Sequence, residues 1–298
     1  MSALVDTPTV GIWDRRQLAD LLTLVPDGPD RFRSRFNEAN SYSALFGGQL
    51  VAQAAAAADV TVEQQELHSL HCHFLRSGSP DQPLHLRVER VRDGRRFSNR
   101  RVSIIQDRSV LAAVTCSYRA PLSGFEHQLP ARATAGPEDA IDAGDLARSG
   151  DPRLLPFMRR FAEPQPIELR IPSEQGFLCT APEARRHYWL RAPSLAGVND
   201  SRLHRQALAY LSDFLASGAA LVPHAVPLPG PHVFVTSLDH AVWFHRPVRC
   251  DDWLLFETDS PSTSCGVALS RGQVYDRAGT LVASLAQESM QQSLDNPS

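Results

Sequence analysis

The 298-residue sequence is 43% hydrophobic and 21% charged, with a formal net charge of −3. That is the make-up of a soluble globular protein with an ample core. The near-neutral balance leaves no electrostatic footprint for nucleic acid, and no stretch approaches the roughly 18 apolar residues of a membrane-crossing helix. Five cysteines (Cys72, Cys116, Cys179, Cys250, Cys265) are odd in number, scattered and never spaced as CxxC. This argues against a disulfide framework or structural zinc site and for a reducing compartment. The opening MSALVDTPTVGIWDRR has no basic run followed by an apolar one, so it does not read as a secretory leader. A cytoplasmic protein is expected.

In chain order, residues Val10 to Phe36 read as a short helix (RQLADLLTLV), a turn at PDGPD and an edge strand around Asp30 to Phe36. Gly47-Gly48 then opens a run without charge as far as Asp59, and the five alanines Ala54 to Ala58 make a helix the default. Small residues on every face imply that this helix is buried against a sheet. Four β segments follow, with Asp93-Gly94 as a two-residue hairpin signal. The arginines beside it (Arg92, Arg95, Arg96, Arg100, Arg101) read either as a solvated hairpin or as a landing place for phosphates.

From 121 to 198 the character changes. Ten of the 22 prolines fall here, so the stretch reads as a connector with short strands and no long regular helix. A second unit then repeats the first: a helix over Leu203–Leu221, a strand ending in an Arg, a hairpin, and a last strand after an Asp-Arg turn. HFLR at 73–76 parallels WFHR at 243–246, and IQDRSVLAAVTCS parallels VYDRAGTLVASLAQES. The expected organisation is an N-terminal unit 1–120, a connector 121–198 and a C-terminal unit 199–298.

The second helix carries an apolar row at Ala207, Leu208, Leu211, Phe214 and Leu215. Its opposite face is equally uncharged apart from Asp213, the sole charged residue between Arg205 and His224. A buried carboxylate must be paired or hydrogen-bonded, or its pKa rises, so Asp213 is a site candidate. In LVASLAQESM the strand period puts Leu281, Ala283, Leu285 and Gln287 on one face; in VFVTSLDHAVWF it does the same for Val233, Val235 and Ser237. Asp accepts a proton, Ser donates and accepts, and Gln donates, which makes a plausible water-holding set. Periodicity alone does not show that the three converge. Thr236 would point to the other face.

FGGQLVAQA, HCHFLRSG, the Arg-Asp-Gly hairpin with RRFSNRRV, ALAYLSDF, SLDHAVWFHRP and LVASLAQES, in this order, resemble the acyl-CoA thioesterase II family. The resemblance spans roughly Leu21 to Gln292, with the proline-rich connector loosely covered. It implies an α+β double hotdog, two tandem units each a long helix wrapped by an antiparallel sheet. It implies hydrolysis of acyl-CoA to a carboxylic acid and coenzyme A, within lipid and fatty-acid metabolism. The family's catalytic Asp, Thr and Gln match Asp213, Ser237 and Gln287, with Ser in place of Thr. Backbone N–H groups near Gly47 and Gly48 would complete an oxyanion site at a helix start. The implied partner is the acyl-CoA substrate, with no cofactor or metal, and exposed sheet edges suggest a homodimer or dimer of dimers.

Rival chemistries fare worse. No GxSxG elbow frames a nucleophilic serine, and no GxGxxG announces a dinucleotide. His68, His71 and His73 have no partner set for a metal, and adjacent strand residues such as Asp239-His240 or His245-Arg246 face opposite ways and make no dyad. Two rivals share the expected fold: a hydratase or dehydratase acting on acyl thioesters, which would want a His beside the helical Asp, and a non-catalytic acyl-CoA binding protein.

Overall fold

The computed structural model describes residues 10–151, 158–163, 165–224 and 233–294. The first nine residues of the N-terminal run and parts of the connector lie outside the described residues. The first half comprises α1 (Leu18–Leu22), β1 (Leu24–Pro26), β2 (Arg31–Ser34), the helix α2 (Gly47–Asp59), β3 (Glu66–Phe74), β4 (His85–Arg92), β5 (Phe97–Gln106) and β6 (Ser109–Arg119). The second comprises β7 (Ile141–Asp142), α3 (Ala143–Ser149), β8 (Glu168–Ile171), β9 (Arg185–Arg191), α4 (Ser201–Ser212), β10 (Val233–Ser237), β11 (Asp239–Phe244), β12 (Leu254–Ser264), β13 (Val267–Tyr275) and β14 (Leu281–Ser293).

Among the described residues these strands form one sheet in the order β1-β2-β4-β5-β6-β3-β11-β14-β13-β12-β9-β8-β7, with β10 beside β14. The seam between the halves is the antiparallel β3–β11 pair, where Cys72 faces His240 and Leu70 faces Val242. β10 and β11 both pair with β14 and are separated by Leu238 alone.

α2 packs against β1 to β6 and directly against α4, so little but Gly47 escapes burial along its length. The alanine run explains both facts. It favours helix, and it lets the backbone come close to sheet and partner helix on all sides. α4 begins on Asp200, whose side chain accepts from the Arg202 N–H, a helix N-cap.

Two local expectations are corrected. The second helix does not run from Leu203 to Leu221: α4 ends at Ser212, Asp213 is its C-cap, Leu215 takes a left-handed φ of 65°, and a 3-10 turn follows over Ala216–Leu221. No Gly or Pro marks this break. Tertiary bonds to Asp213, described below, decide it. The Asp93-Gly94 turn is also longer than two residues, with a bulge between Arg90 and Arg92. The cause is Arg100, which is buried and donates to Asp93 Oδ1, the Arg92 carbonyl and Thr61. Arg100 is therefore structural, neither solvated nor free for a phosphate.

The connector contributes β7, β8 and β9 to the second half of the sheet. Before them it crosses the outer face of β9, β12 and β13. There the Trp189 indole donates to the Ala135 carbonyl, Tyr275 to the Pro130 carbonyl, and the Arg132 N–H to Glu257. Beneath it lies a small apolar cluster of Trp189, Trp253, Leu255 and Tyr275.

Candidate active site

The break in the second helix puts the end of α4 against the start of α2. A Cβ added at Gly47 would stand 2.7 Å from Asp213 Oδ2, and one at Gly48 would stand 2.6 Å from the Tyr210 carbonyl. Only glycines allow this approach. The Gly48 N–H bonds the Asp213 carboxylate, which thus sits at the positive end of α2 although it caps the negative end of α4.

From the opposite side, Gln287 on β14 reaches in. Its Nε2 donates to Asp213 Oδ1 at 2.9 Å and to Ser237 Oγ at the end of β10. The three polar residues picked out by strand and helix period therefore meet around one amide group. Gly47, Asp213, Leu215 and Ser237 line a cavity of about 410 Å³ with Phe46 and Phe74, within the usual range of roughly 300–1,000 Å³ for small-molecule sites. Thr236 also borders the cavity, against the expectation that it faces away; Ser237 is the one that Gln287 bonds.

Burial pushes the Asp213 carboxyl up to about 7, against the hydrogen bonds from Gln287 and Gly48 that pull it down. A carboxylate tuned near neutrality, hydrogen-bonded yet bordering a cavity, is equipped to take a proton from a small neutral molecule. Cys72, whose thiol is close enough to Asp213 to be affected by its charge, is buried. Burial and the Asp213 charge push its pKa well up, so it stays a thiol and is no nucleophile.

Sequence reasoning missed the layer behind Gln287. Asp239 and His240 do face opposite ways: Asp239 accepts the Glu288 N–H outside, while His240 points inward. There His240 Nδ1 lies 3.3 Å from Gln287 Oε1, and Nε2 lies 2.8 Å from the Ser212 hydroxyl. Burial lowers the His240 pKa to about 4, so the ring is neutral. Because Gln287 Oε1 only accepts, Nδ1 carries the hydrogen, and Nε2 competes with the Ala209 carbonyl, 2.9 Å from Ser212 Oγ, for the single Ser212 hydroxyl hydrogen. With Oε1 turned to His240, the Gln287 amide presents Nε2 to Asp213 and Ser237. The only available signal was a histidine in an apolar row of β11.

A second buried carboxylate, Glu38, borders the same region. It accepts from Arg160 Nη2 at 2.6 Å and from the Tyr210 hydroxyl at 2.7 Å. His71 and His73 are exposed, with His71 edge-on to Trp243. Among the described residues no group of three or more His, Cys, Asp or Glu is placed to hold a metal.

The chain is similar to known proteins over most of its length. Residues 38–119 match the family model described as acyl-CoA thioesterase N-terminal domain, and 159–290 match the model described as acyl-CoA thioesterase. Acyl-coenzyme A thioesterase 8 of Mus musculus is 34% identical over 281 residues, covering 91% of this chain and 87% of the relative. Acyl-CoA thioesterase 2 of Haemophilus influenzae is 34% identical over 249 residues, covering 83% and 87%. An acyl-CoA thioesterase II from Mycobacterium marinum superposes with a TM-score of 0.76 at 31% identity, covering 92% and 97%. A protein from Alicyclobacillus acidocaldarius described as having a hotdog fold superposes with a TM-score of 0.75 at 20% identity, covering 94% and 98%, which speaks for the fold alone.

Proposed function

The chain belongs to the acyl-CoA thioesterase II family, with its double hotdog fold, and hydrolyses acyl-CoA thioesters to a carboxylic acid and coenzyme A; from that premise we propose that Asp213 is the general base of a direct attack by water. The observation that carries this reading is the single amide of Gln287, which holds the Asp213 carboxylate and the Ser237 hydroxyl together at the wall of the cavity.

In the proposed step, a water bonded to Asp213 and Ser237 gives its proton to Asp213 as its oxygen adds to the thioester carbonyl carbon. The tetrahedral oxyanion then collapses, the C–S bond breaks, and the thiolate leaves with a proton returned from Asp213. Both Nε2 hydrogens of Gln287 are already spent on Asp213 and Ser237, so Gln287 orients these groups and does not itself donate to the oxyanion. Ser237 accepts from Gln287, which leaves its own hydroxyl hydrogen free to be donated. The Gly48 N–H is spent on Asp213, so the oxyanion donor at the start of α2 falls to Gly47, whose N–H is outside the helical ladder. His240 and Ser212 act through Gln287 and are positioning residues. The hydratase reading loses support because His240 lies behind Gln287, away from any substrate in the cavity.

Thiol release measured against pH tests the proposal. The base works as a carboxylate, so kcat/KM is expected to rise as pH passes through about 7 and to fall below it. Asp213→Asn should remove this dependence together with most of the rate. A variant within a few-fold of wild type would exclude Asp213 as the base.

The division into 1–120, a connector 121–198 and 199–298 belongs to the same proposal, as does a cytoplasmic homodimer or dimer of dimers. The two buried helices with their own strands support the first; the unpaired, scattered cysteines and the terminal strands β1 and β7 support the second. A solution mass equal to one chain would rule out the dimer.

A further inference from the structure

Glu38 has no part in the reaction step, yet it is only 1% exposed and each of its polar groups is engaged. Its Oε2 accepts from the Tyr210 hydroxyl at 2.7 Å, and its Oε1 accepts from Arg160 Nη2 at 2.6 Å. Its backbone N–H donates to Gln49 Oε1 at 2.6 Å, and its carbonyl accepts the Phe46 N–H at 3.0 Å. These partners lie on different elements. Phe46 is the N-cap of α2 and Gln49 is in its first turn, Tyr210 is in the last turn of α4, and Arg160 belongs to the 3-10 turn Met158–Ala162 of the connector. One residue thus ties the start of α2, the end of α4 and the connector together.

The chemistry depends on that junction. The Gly48 N–H holds Asp213, and the Gly47 N–H beside it is the oxyanion donor of the proposed step. Tyr210 is one helical turn before Asp213, and its carbonyl lies where a Cβ on Gly48 would come within 2.6 Å. The remaining contacts across the junction are apolar: Phe46 is edge-on to Tyr210 at 5.2 Å and to Phe214 at 6.2 Å. Ring contacts of this kind are non-directional, whereas a fully satisfied buried polar network makes the arrangement rigid.

We propose that Glu38 is a positioning residue for hydrolysis: its side chain holds the Tyr210 hydroxyl of α4 while its backbone holds the start of α2, and together these bonds set the Gly47 and Gly48 N–H groups against Asp213. The inference rests on the reading of Asp213 as the base. Glu38 is not among the residues that line the cavity, so it acts on the reaction through Tyr210 and Phe46. Arg160 keeps the carboxylate in place from the connector side, which makes the docking of the connector part of the same device.

The experiment follows thiol release and melting against pH for wild type, Glu38→Ala, Glu38→Gln, Tyr210→Phe and the double variant Glu38→Gln with Tyr210→Phe. Tyr210→Phe keeps the ring against Phe46 and removes the hydroxyl alone. It is expected to lower kcat about tenfold with KM within about twofold, a part of the roughly hundredfold that a misplacement of about 1 Å costs. The midpoint of the kcat/KM profile should move above about 7, because a displaced Gly48 N–H no longer lowers the Asp213 pKa. Neighbouring groups do not titrate in its place: burial keeps the Cys72 thiol, the Tyr188 phenol and the His240 ring neutral. Glu38→Ala should lose more than Glu38→Gln, whose amide oxygen still accepts from Tyr210, and the double variant should lose no more than its worse single variant. A Tyr210→Phe protein that melts earlier yet keeps the wild-type kcat and midpoint overturns the inference, as does a rise in KM alone or a double variant whose losses add. Asp213→Asn introduced into Tyr210→Phe reads the junction without turnover. The melting-temperature gap that this change opens should keep widening beyond the pH of about 7 at which it levels off in the parent. An unmoved limit overturns the inference, and this arm decides it even if Asp213→Asn hydrolyses at the wild-type rate and the general-base reading itself has failed.

Discussion

Both long helices end on an aspartate, and the two carboxylates have opposite surroundings. Asp59, at the end of α2, is buried and accepts from the Tyr118 hydroxyl and from Gln206 Nε2, each at 2.7 Å. Arg202 and Arg205 lie close enough to pull its pKa down, although burial still pushes it up to about 6. Asp213, at the end of α4, meets glycines where Asp59 meets Arg202, Arg205 and Gln206, and it borders a cavity. The strands differ in the same sense. Where β11 and β14 bring His240 to Gln287, β3 and β6 bring Leu70 to Cys116. One carboxylate is sealed among large partners and serves the fold. Its counterpart has the same origin in a helix end, but small residues on one side and a cavity on the other leave it an edge for chemistry.

The sharpest way to break this comparison is to remove each carboxylate in turn. Asp213→Asn should lower thiol release by about a hundredfold or more, the scale of a general base, while the fold gains stability. The sign follows from its raised pKa. The folded state holds a proton on Asp213 that the unfolded chain releases near 3.8, so the wild type loses stability as pH climbs from about 4 to about 7, whereas Asn does not. The melting-temperature gap between variant and wild type should therefore widen over that range. A gap that narrows would mean that Asp213 is not held against its charge.

Next in size is Gln287→Ala. It removes a hydrogen bond that lowers the Asp213 pKa and the group that aligns Ser237, so rate should fall by about 10²-fold, the scale of one lost polar contact in an active site. The midpoint of the pH profile should move to higher pH. An unchanged midpoint would show that the amide does not bear on Asp213.

His240→Leu should act through the same amide with a smaller loss, about tenfold, and a similar alkaline shift, since Gln287 can then turn its oxygen toward Asp213. His240→Asn, which still offers a donor to Gln287 Oε1, should recover much of the loss. Failure of Asn to recover activity, with no shift in either profile, would reduce His240 to packing.

Asp59→Ala should have the least effect on turnover. Unfolding in denaturant should show a loss of about 1–3 kcal/mol, because the Tyr118 hydroxyl and Gln206 amide lose a buried acceptor. If this variant stays folded and yet loses hydrolysis, the two helix ends are not divided between fold and chemistry as the geometry has it.

Much of this was legible in the residues themselves. Helices without a charged face announce burial, so α2 and the region of α4 could be placed, and two runs of the same kind in the same order pointed to a duplicated unit. Asp213 and Gln287 stood out because each interrupts an apolar row, a pattern that local periodicity carries by itself. What periodicity does not carry is the meeting of segments far apart in the chain. The end of α4 at Ser212 depends on Gly48 and Gln287, respectively 165 and 74 positions from Asp213 along the chain. The tautomer of His240 depends on Gln287, and the sealing of Asp59 on Tyr118 and Gln206. Arg186 is the extreme case: one arginine among many in sequence, it is buried in the cavity wall with its Nε left without a partner among the described residues. Pairing and burial are properties of the whole tertiary arrangement, and they decide which of several similar polar residues is structure and which is chemistry.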